Sequence, residues 1–279
     1  MKIEYFDIHS HLYFPDYDED REEEIENIKK AKVAVINIGT DLKSSKACVE
    51  LAKKHKHLFA CIGQHPGDLD KNSIFDEHLV KLANEEKVVA IGECGLDYFR
   101  LPEDPNEVAI IKSIQKTIFE YHVDLAISVN KPLMLHIRSS KGTQDAYLDA
   151  LAILEHHAKT SDNLKGNAHF FAGDIDVLNR LLAIGFTVSF TGVITFAKDY
   201  DEVIKAVPKD MIMVETDAPF VAPVPHRGKR NSSTYIPSIV ESMAKIRGES
   251  VENMKKTIFD NVLKHFPGLA QSLASFDLL

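Results

Sequence analysis

Nowhere in this 279-residue chain is an apolar run long enough to cross a bilayer, so a membrane-spanning protein is not expected. Positive charge is also short. Lys and Arg number 33 against 42 Asp and Glu, a net charge of -9. That balance argues against a broad basic surface gripping duplex DNA by counterion release. It leaves room for a nucleic-acid enzyme with a small basic mouth, because bound divalent cations bring their own charge. Cysteine is scarce: Cys48, Cys61 and Cys94 form no CxxC pair and cannot all be bridged, which points to a reduced compartment. Cys94 directly follows Glu93, so its side chain should turn away from a pocket holding Glu93; it reads as a small buried hydrophobe. The Gly-rich phosphate loops GxGxxG and GxxxxGK[ST] are missing. So are Pro/Gly/Ser-rich linkers and low-complexity tracts, and one domain over residues 1–279 is the expectation. No basic-then-apolar leader precedes the first strand. A cytoplasmic protein with no membrane contact and no obligate protein partner is expected.

What the chain has is regular alternation. Short β-branched runs occur at Ile3–Ile8, Val33–Ile38, Leu58–Ile62, Val88–Ile91, Pro132–His136, Gly166–His169, Thr187–Phe190 and Met211–Val214. They are nearly continuous in apolar residues, as parallel strands covered on both faces are. Helical patterns separate or follow them, at Asp20–Lys30, Leu42–His55, Phe75–Glu85, Asn106–Val129, Asp145–Lys159, Ile175–Ile184, Tyr200–Val207 and Pro237–Arg247. Thr40 or Asp41, Ser73 and Ser250 stand where caps belong. Eight strand–helix repeats predict an α/β fold, a (β/α)8 TIM barrel, ahead of an open doubly wound sheet. The stretch Val251–Phe266 should close the barrel, and the tail after Ala270 carries no functional signal.

The first apolar run ends in Asp7-Ile8-His9-Ser10-His11. Alternation along a strand sends His9 and His11 to one side, with Asp7 in line behind as a carboxylate able to hold their tautomers. Two imidazoles so spaced can chelate a cation. Glu93, His136, His169 and Asp217 each lie at or just past the end of another run, and in a barrel those ends meet at one mouth. Four imidazoles and at least two carboxylates exceed what one tetrahedral ion needs and suit two cations sharing a carboxylate, with Glu93 the candidate bridge. Two divalent ions acidify water toward hydroxide near neutral pH, which suggests hydrolysis, with Asp217 a ligand able to accept the proton. Glu215 falls on the same side as Asp217 by parity, or else pairs with a neighbouring cation.

Groups around the metals set the substrate class. Arg138, two residues past His136, suits a phosphate or oxyanion. Pro225-His226-Arg227-Gly228-Lys229-Arg230-Asn231 is an isolated basic patch, with Arg227 and Arg230 placed for an anionic ligand. His65 is a candidate third phosphate contact or a turn residue; Tyr98 and Phe99 could stack a base or pack a loop.

These blocks, taken in order, resemble the TatD-type metal-dependent deoxyribonucleases, a branch of the amidohydrolase-like barrels. The resemblance rests on Asp7-Ile8-His9-Ser10-His11, Ile62-Gly63-Gln64-His65-Pro66, Ile91-Gly92-Glu93-Cys94-Gly95-Leu96-Asp97-Tyr98, Leu135-His136-Ile137-Arg138 and His169-Phe170-Phe171-Ala172-Gly173. It closes on Glu215-Thr216-Asp217-Ala218-Pro219 and Arg227-Gly228-Lys229-Arg230-Asn231. It implies phosphodiester hydrolysis in DNA, from a 3′ end, with a divalent ion such as magnesium. By the same likeness, one ion would take His9, His11, Glu93 and Asp217 and a second Glu93, His136 and His169, with His65 and Arg138 near the phosphate. Donor softness alone suits zinc or manganese, and nickel is compatible. The chain departs from the family at Ser232-Ser233, where an acidic residue and a proline are common, and at Phe170, often a cysteine. Two other readings of the same residues are a barrel hydrolase of small amides, lactones or phosphoesters, and a non-catalytic binding barrel.

Overall fold

The alternation resolves into eight parallel strands hydrogen-bonded in sequence order. They are β1 (Tyr5–Ser10), β2 (Val33–Ile38), β3 (Leu58–Ile62), β4 (Val88–Asp97), β5 (Leu133–Arg138), β6 (Gly166–Ala168), β7 (Thr187–Phe190) and β8 (Ile212–Val214). The structure is a computed structural model and describes residues 2–279. A parallel bridge between Ser10 and Ala218 returns the last strand to the first, and the barrel closes there. The crossovers carry α1 (Arg21–Lys30), α2 (Leu42–Lys54), α3 (His78–Leu82), α4 (Pro105–Ser128), α5 (Asp145–Ala158), α6 (Ile175–Ala183) and α7 (Asp201–Ala206). After β8 come α8 (Ile236–Arg247), α9 (Val251–His265) and α10 (Pro267–Ser275). This is the expected (β/α)8 architecture. No helix among the described residues is long and apolar enough to cross a membrane.

Strand alternation splits the core in two. On β2, Val33 and Val35 face the helix layer with Ile25, Ile28 and Val49. Their neighbours Ala34, Ile36 and Ile38 join Phe6, Ile8, Phe59, Cys61, Met134 and Met213 in a second cluster. Phe266, Leu269 and Leu273 from the C-terminal segment belong to that second cluster and are fully buried. Each such side chain contributes roughly 1.5–3 kcal/mol of apolar burial. The tail that carried no functional signal is thus packed structure.

Asp41 and Ser250 cap α2 and α9 as expected, Asp41 through a reciprocal pair of bonds with Ser44. Ser73 does not cap a helix. Its hydroxyl accepts from the Asp70 amide inside a turn, and α3 begins only at His78. On β4 the strand continues past Ile91 to Asp97 through a shift in register between Ile91 and Cys94. Gly92 and Gly95, at φ +145° and +135°, flank that shift; a Cβ on either would run into the Met134 or His136 carbonyl oxygen. Glycine there lets β4 lie tight against β5, which sets Glu93 beside His136.

Candidate metal centre

Six strand ends converge on one cavity of about 920 Å³, lined by His11, His65, Glu93, Asp97, His136, His169 and Asp217 among others. His9 lies directly beneath, fully buried, its ring stacked on that of His169 at 3.7 Å between centroids. Glu93 stands at the centre. Its Oε2 lies 3.5 Å from His9 Nε2 and 3.8 Å from His11 Nε2. Its Oε1 lies 3.1 Å from His136 Nδ1, 3.1 Å from His169 Nε2 and 3.7 Å from His65 Nε2. Each carboxylate oxygen therefore serves a different set of imidazoles. Asp217 Oδ1 completes the first set, 3.7 Å from His9 Nε2 and 3.4 Å from His11 Nε2.

The donor set fits divalent cations. His11 Nδ1 lies 3.0 Å from the Ile38 carbonyl, which only accepts, so Nδ1 carries the proton and Nε2 of the neutral ring presents a lone pair. That lone pair faces His9 Nε2 at 3.3 Å and the Glu93 and Asp217 oxygens beyond. Ligand atoms around a shared ion at about 2.1 Å are separated by about 3.0 Å in an octahedron and about 3.4 Å in a tetrahedron. The separations in the first set run from 3.3 to 3.8 Å, from within that range to a few tenths of an ångström beyond it, and His9, His11 and Glu93 form one group of donor atoms within mutual reach. A second group is His65, Glu93 and His136. His65 thus lies among the donors as well as beside the cavity. His9, His169 and Glu215 form a third group.

Second contacts orient these donors. His169 Nδ1 meets Glu215 Oε1 at 3.0 Å, and Glu215 also accepts from the Phe170 amide and the Ser189 hydroxyl. His136 Nε2 meets Asp97 Oδ2 at 3.0 Å. Asp97 lies an even number of residues beyond Glu93 on the same strand, and that parity is the one signal in the sequence for this contact. Asp7 departs from expectation. The register of β1 shifts between Asp7 and Ser10, which breaks simple alternation. Asp7 accepts from the Thr216 amide and hydroxyl and from the His9 amide, whereas His9 Nδ1 has no partner among the described residues. Asp7 fastens backbone, not imidazole.

Electrostatics follow from burial against these partners. Burial alone would raise the Glu93 carboxyl, but His9, His65, His169 and the bond from His136 hold it well below the usual range. Burial likewise opposes charge on His169, and Glu215 and Glu93 outweigh it, lifting that imidazole well above its usual value. Burial and the neighbouring His136 push His65 down to about 3. Burial pushes Asp7 up to about 6.

The cavity also has a cationic lining. Arg100, Arg138 and Lys141 are exposed, line it, and form no ion pair among the described residues. Arg138 packs its guanidinium 3.9 Å from the Phe99 ring centre. Arg138 was expected here; Arg100 and Lys141 were not, since isolated cations in loops carry no spacing signal. Two basic residues of the post-β8 loop lie elsewhere. Arg230 pairs with Asp20 and covers Tyr17, and Arg227 lies 3.5 Å over the Phe196 ring. Neither lines the cavity. Tyr98 is also corrected: it is 2% exposed, its hydroxyl donates to Asp149 at 2.9 Å, and Lys112 covers its ring. A base cannot reach it. Ser232, at the first departure from the family pattern, is buried and donates its hydroxyl to Glu24, away from the cavity.

Comparison with known proteins gives the chain's relatives. Residues 6–267 match the family model described as TatD related DNase. The chain is 35% identical over 265 residues to the metal-dependent hydrolase YabD of Bacillus subtilis, covering 94% of this chain and 98% of that protein. It is 39% identical over 212 residues to the metal-dependent hydrolase YcfH of Escherichia coli K12, covering 75% of this chain and 73% of that one. Among solved structures, the TatD homologue YjjV of E. coli K12 superposes with a TM-score of 0.82 at 24% identity, over 96% of this chain and 99% of that one. A whole-length family match, a chain-long relative above 30% identity and a cavity lined with metal donors converge: this chain belongs to the TatD family of metal-dependent hydrolases.

Proposed function

We propose that the chain is a divalent-metal-dependent deoxyribonuclease that removes nucleotides from the 3′ end of DNA. One observation carries this reading: a single cavity is lined both by donors suited to cations and by Arg100, Arg138 and Lys141, which form no ion pair among the described residues. An anion held in that cavity meets positive charge from the bound ions and from these side chains. Below, the cavity ends on the packed barrel interior, so it admits a chain end more readily than a continuous duplex. The 3′ polarity and magnesium as the working ion come from the likeness to the family.

When bound, one or two divalent ions would supply Lewis acidity to a phosphoryl oxygen and lower the pKa of water. His9, His11, Glu93 and Asp217 would hold the first, and Glu93, His136 and His169 the second, with His65 adjacent. The rest falls to the chain itself. Asp217, the most exposed carboxylate facing His9 and His11 at 14% against 4% for Glu93, accepts a proton from the attacking water. The water oxygen bonds to phosphorus as the phosphorus–oxygen bond to the departing sugar breaks. Arg138 steadies a non-bridging oxygen.

The test is purified protein with magnesium or manganese on 5′-labelled single-stranded DNA, beside small esters and lactones. A ladder shortening from the 3′ end, abolished by chelation and restored by metal, is the expected result. Ester turnover with inert DNA overturns the reading.

A further inference from the structure

Aromatic rings stand at the cavity mouth, and they are not equivalent. Phe99 is 47% exposed, but the Arg138 guanidinium covers its ring. Phe14 lies stacked on the metal-donor ring of His11, 4.8 Å between centroids at 23°. Phe220 differs from both. It is 48% exposed, and it meets Phe14 at 77° and His11 at 64°, so among the described residues it has no parallel partner and no cation over it.

Its backbone is nevertheless fixed. The Phe220 amide donates to the Asp217 carbonyl at 2.8 Å, and the side chain of the buried Asn231 donates to the Phe220 carbonyl at 2.6 Å. An exposed phenyl group on a rigid turn, three residues past a donor carboxylate and lining the same cavity, is an apolar platform built into a polar site.

We infer that Phe220, braced by Phe14, is the platform on which the terminal nucleobase of the substrate stacks. The inference rests on the nuclease reading and deepens it. The metal donors and unpaired cations take the phosphates, and the exposed Phe220 ring beside the Asp217 turn takes what a nucleotide has besides phosphate and sugar. A planar base fits a ring without a parallel partner. Stacking of this kind tolerates any base, because every base offers a π face. Phe220 is therefore a positioning and specificity residue: it favours substrates that end in a base over those that end in sugar phosphate alone.

The test compares two 5′-labelled single-stranded oligonucleotides with magnesium or manganese, identical except that one has an abasic 3′-terminal nucleotide. The wild-type protein should cleave the base-bearing terminus with a kcat/KM about 10-fold or more higher, as one stacked base allows. In Phe220→Ala the ratio should fall toward one. In Phe220→Tyr, which keeps the ring, it should persist; that rescue separates stacking from a damaged fold. Equal rates on both oligonucleotides in the wild-type protein, or a ratio unchanged in Phe220→Ala, overturns the inference while leaving the nuclease reading in place. If neither oligonucleotide is cleaved, the nuclease reading fails and this inference with it.

Discussion

Glu215 holds His169 by its Nδ1 at 3.0 Å, and the opposite nitrogen of the ring is thereby turned onto Glu93 at 3.1 Å. Parity along β8 left Glu215 either beside Asp217 or paired with a cation, and the geometry decides for pairing with an imidazole. A carboxylate behind a ligand imidazole fixes its tautomer and raises its basicity. Glu215→Gln should lower turnover about 10- to 100-fold and weaken metal affinity by a similar factor, because an amide can still accept but no longer carries charge. Glu93→Gln should cost far more, roughly a thousandfold or beyond, since both donor groups share that side chain. Turnover against metal concentration for the two variants checks the order. If Glu215→Gln is indistinguishable from wild type, the orienting role fails.

A second pair of residues acts on Asp217 from either side. Asp217 sits at φ +56°, a left-handed conformation that a residue with a Cβ adopts at a cost. Asp7 takes the Thr216 amide at 2.9 Å, Asn231 donates to the carbonyls of Thr216 and Phe220 at 2.8 and 2.6 Å, and the Asp217 amide donates to the His9 carbonyl at 2.9 Å. Asn231→Ala leaves the buried Thr216 carbonyl and the part-buried Phe220 carbonyl short of a donor, a loss of about 1–3 kcal/mol of stability. It should also lower kcat about 10-fold or more with little change in KM, because the turn that aims Asp217 loosens while the cation wall stays intact. A fall in stability with kcat unchanged would make Asn231 purely structural.

Much of this was legible in the chain. Eight apolar runs with helical intervals define the barrel, and a barrel brings strand ends together whatever their separation, so five distant blocks could be read as one site. What stayed hidden depended on local breaks in periodicity. The register shift in β1 turned Asp7 away from the imidazoles, and the one in β4 carried the strand on to Asp97. Loop cations were hidden for another reason. Arg230 stands in a basic run and Arg100 alone in its loop, yet the fold pairs the first with Asp20 and sets the second in the cavity lining. Exposure of Phe220 and burial of Tyr98 likewise depend on the path of each loop, which no spacing encodes.

That contrast among arginines is measurable. Arg138→Ala should raise the KM for DNA about 10-fold and reduce the salt dependence of binding by about one phosphate contact. Arg230→Ala should leave KM within about twofold and instead lower stability by up to about 1 kcal/mol, since its pair with Asp20 is a third exposed and screened by solvent. Salt titrations of DNA binding at fixed metal check both. A larger KM effect from Arg230 than from Arg138 would return the phosphate contact to the loop after β8.

Acid should destabilise the fold through His122 before it titrates the strongly held carboxylates. This imidazole is fully buried on α4; its Nδ1 donates to the Ile118 carbonyl at 2.8 Å and its Nε2 accepts from the Gln64 amide at 3.0 Å. Only the neutral ring can do both, and burial pushes its pKa down to about 4 from an ordinary 6.5. Above pH 6.5 folded and unfolded chains both carry it neutral, and stability is complete. Between pH 6.5 and 4 the unfolded chain binds a proton that the folded chain refuses, so stability falls with pH, by roughly 3 kcal/mol for this one group. Urea unfolding of the wild type and of His122→Gln at pH 7.5 and 4.5 tests this. The variant should be the less stable at pH 7.5, and its deficit should shrink at pH 4.5, because it has no proton to refuse. A deficit of the same size at both values would assign the acid sensitivity to other groups, His57 first among them, which burial and His55 also push down to about 4.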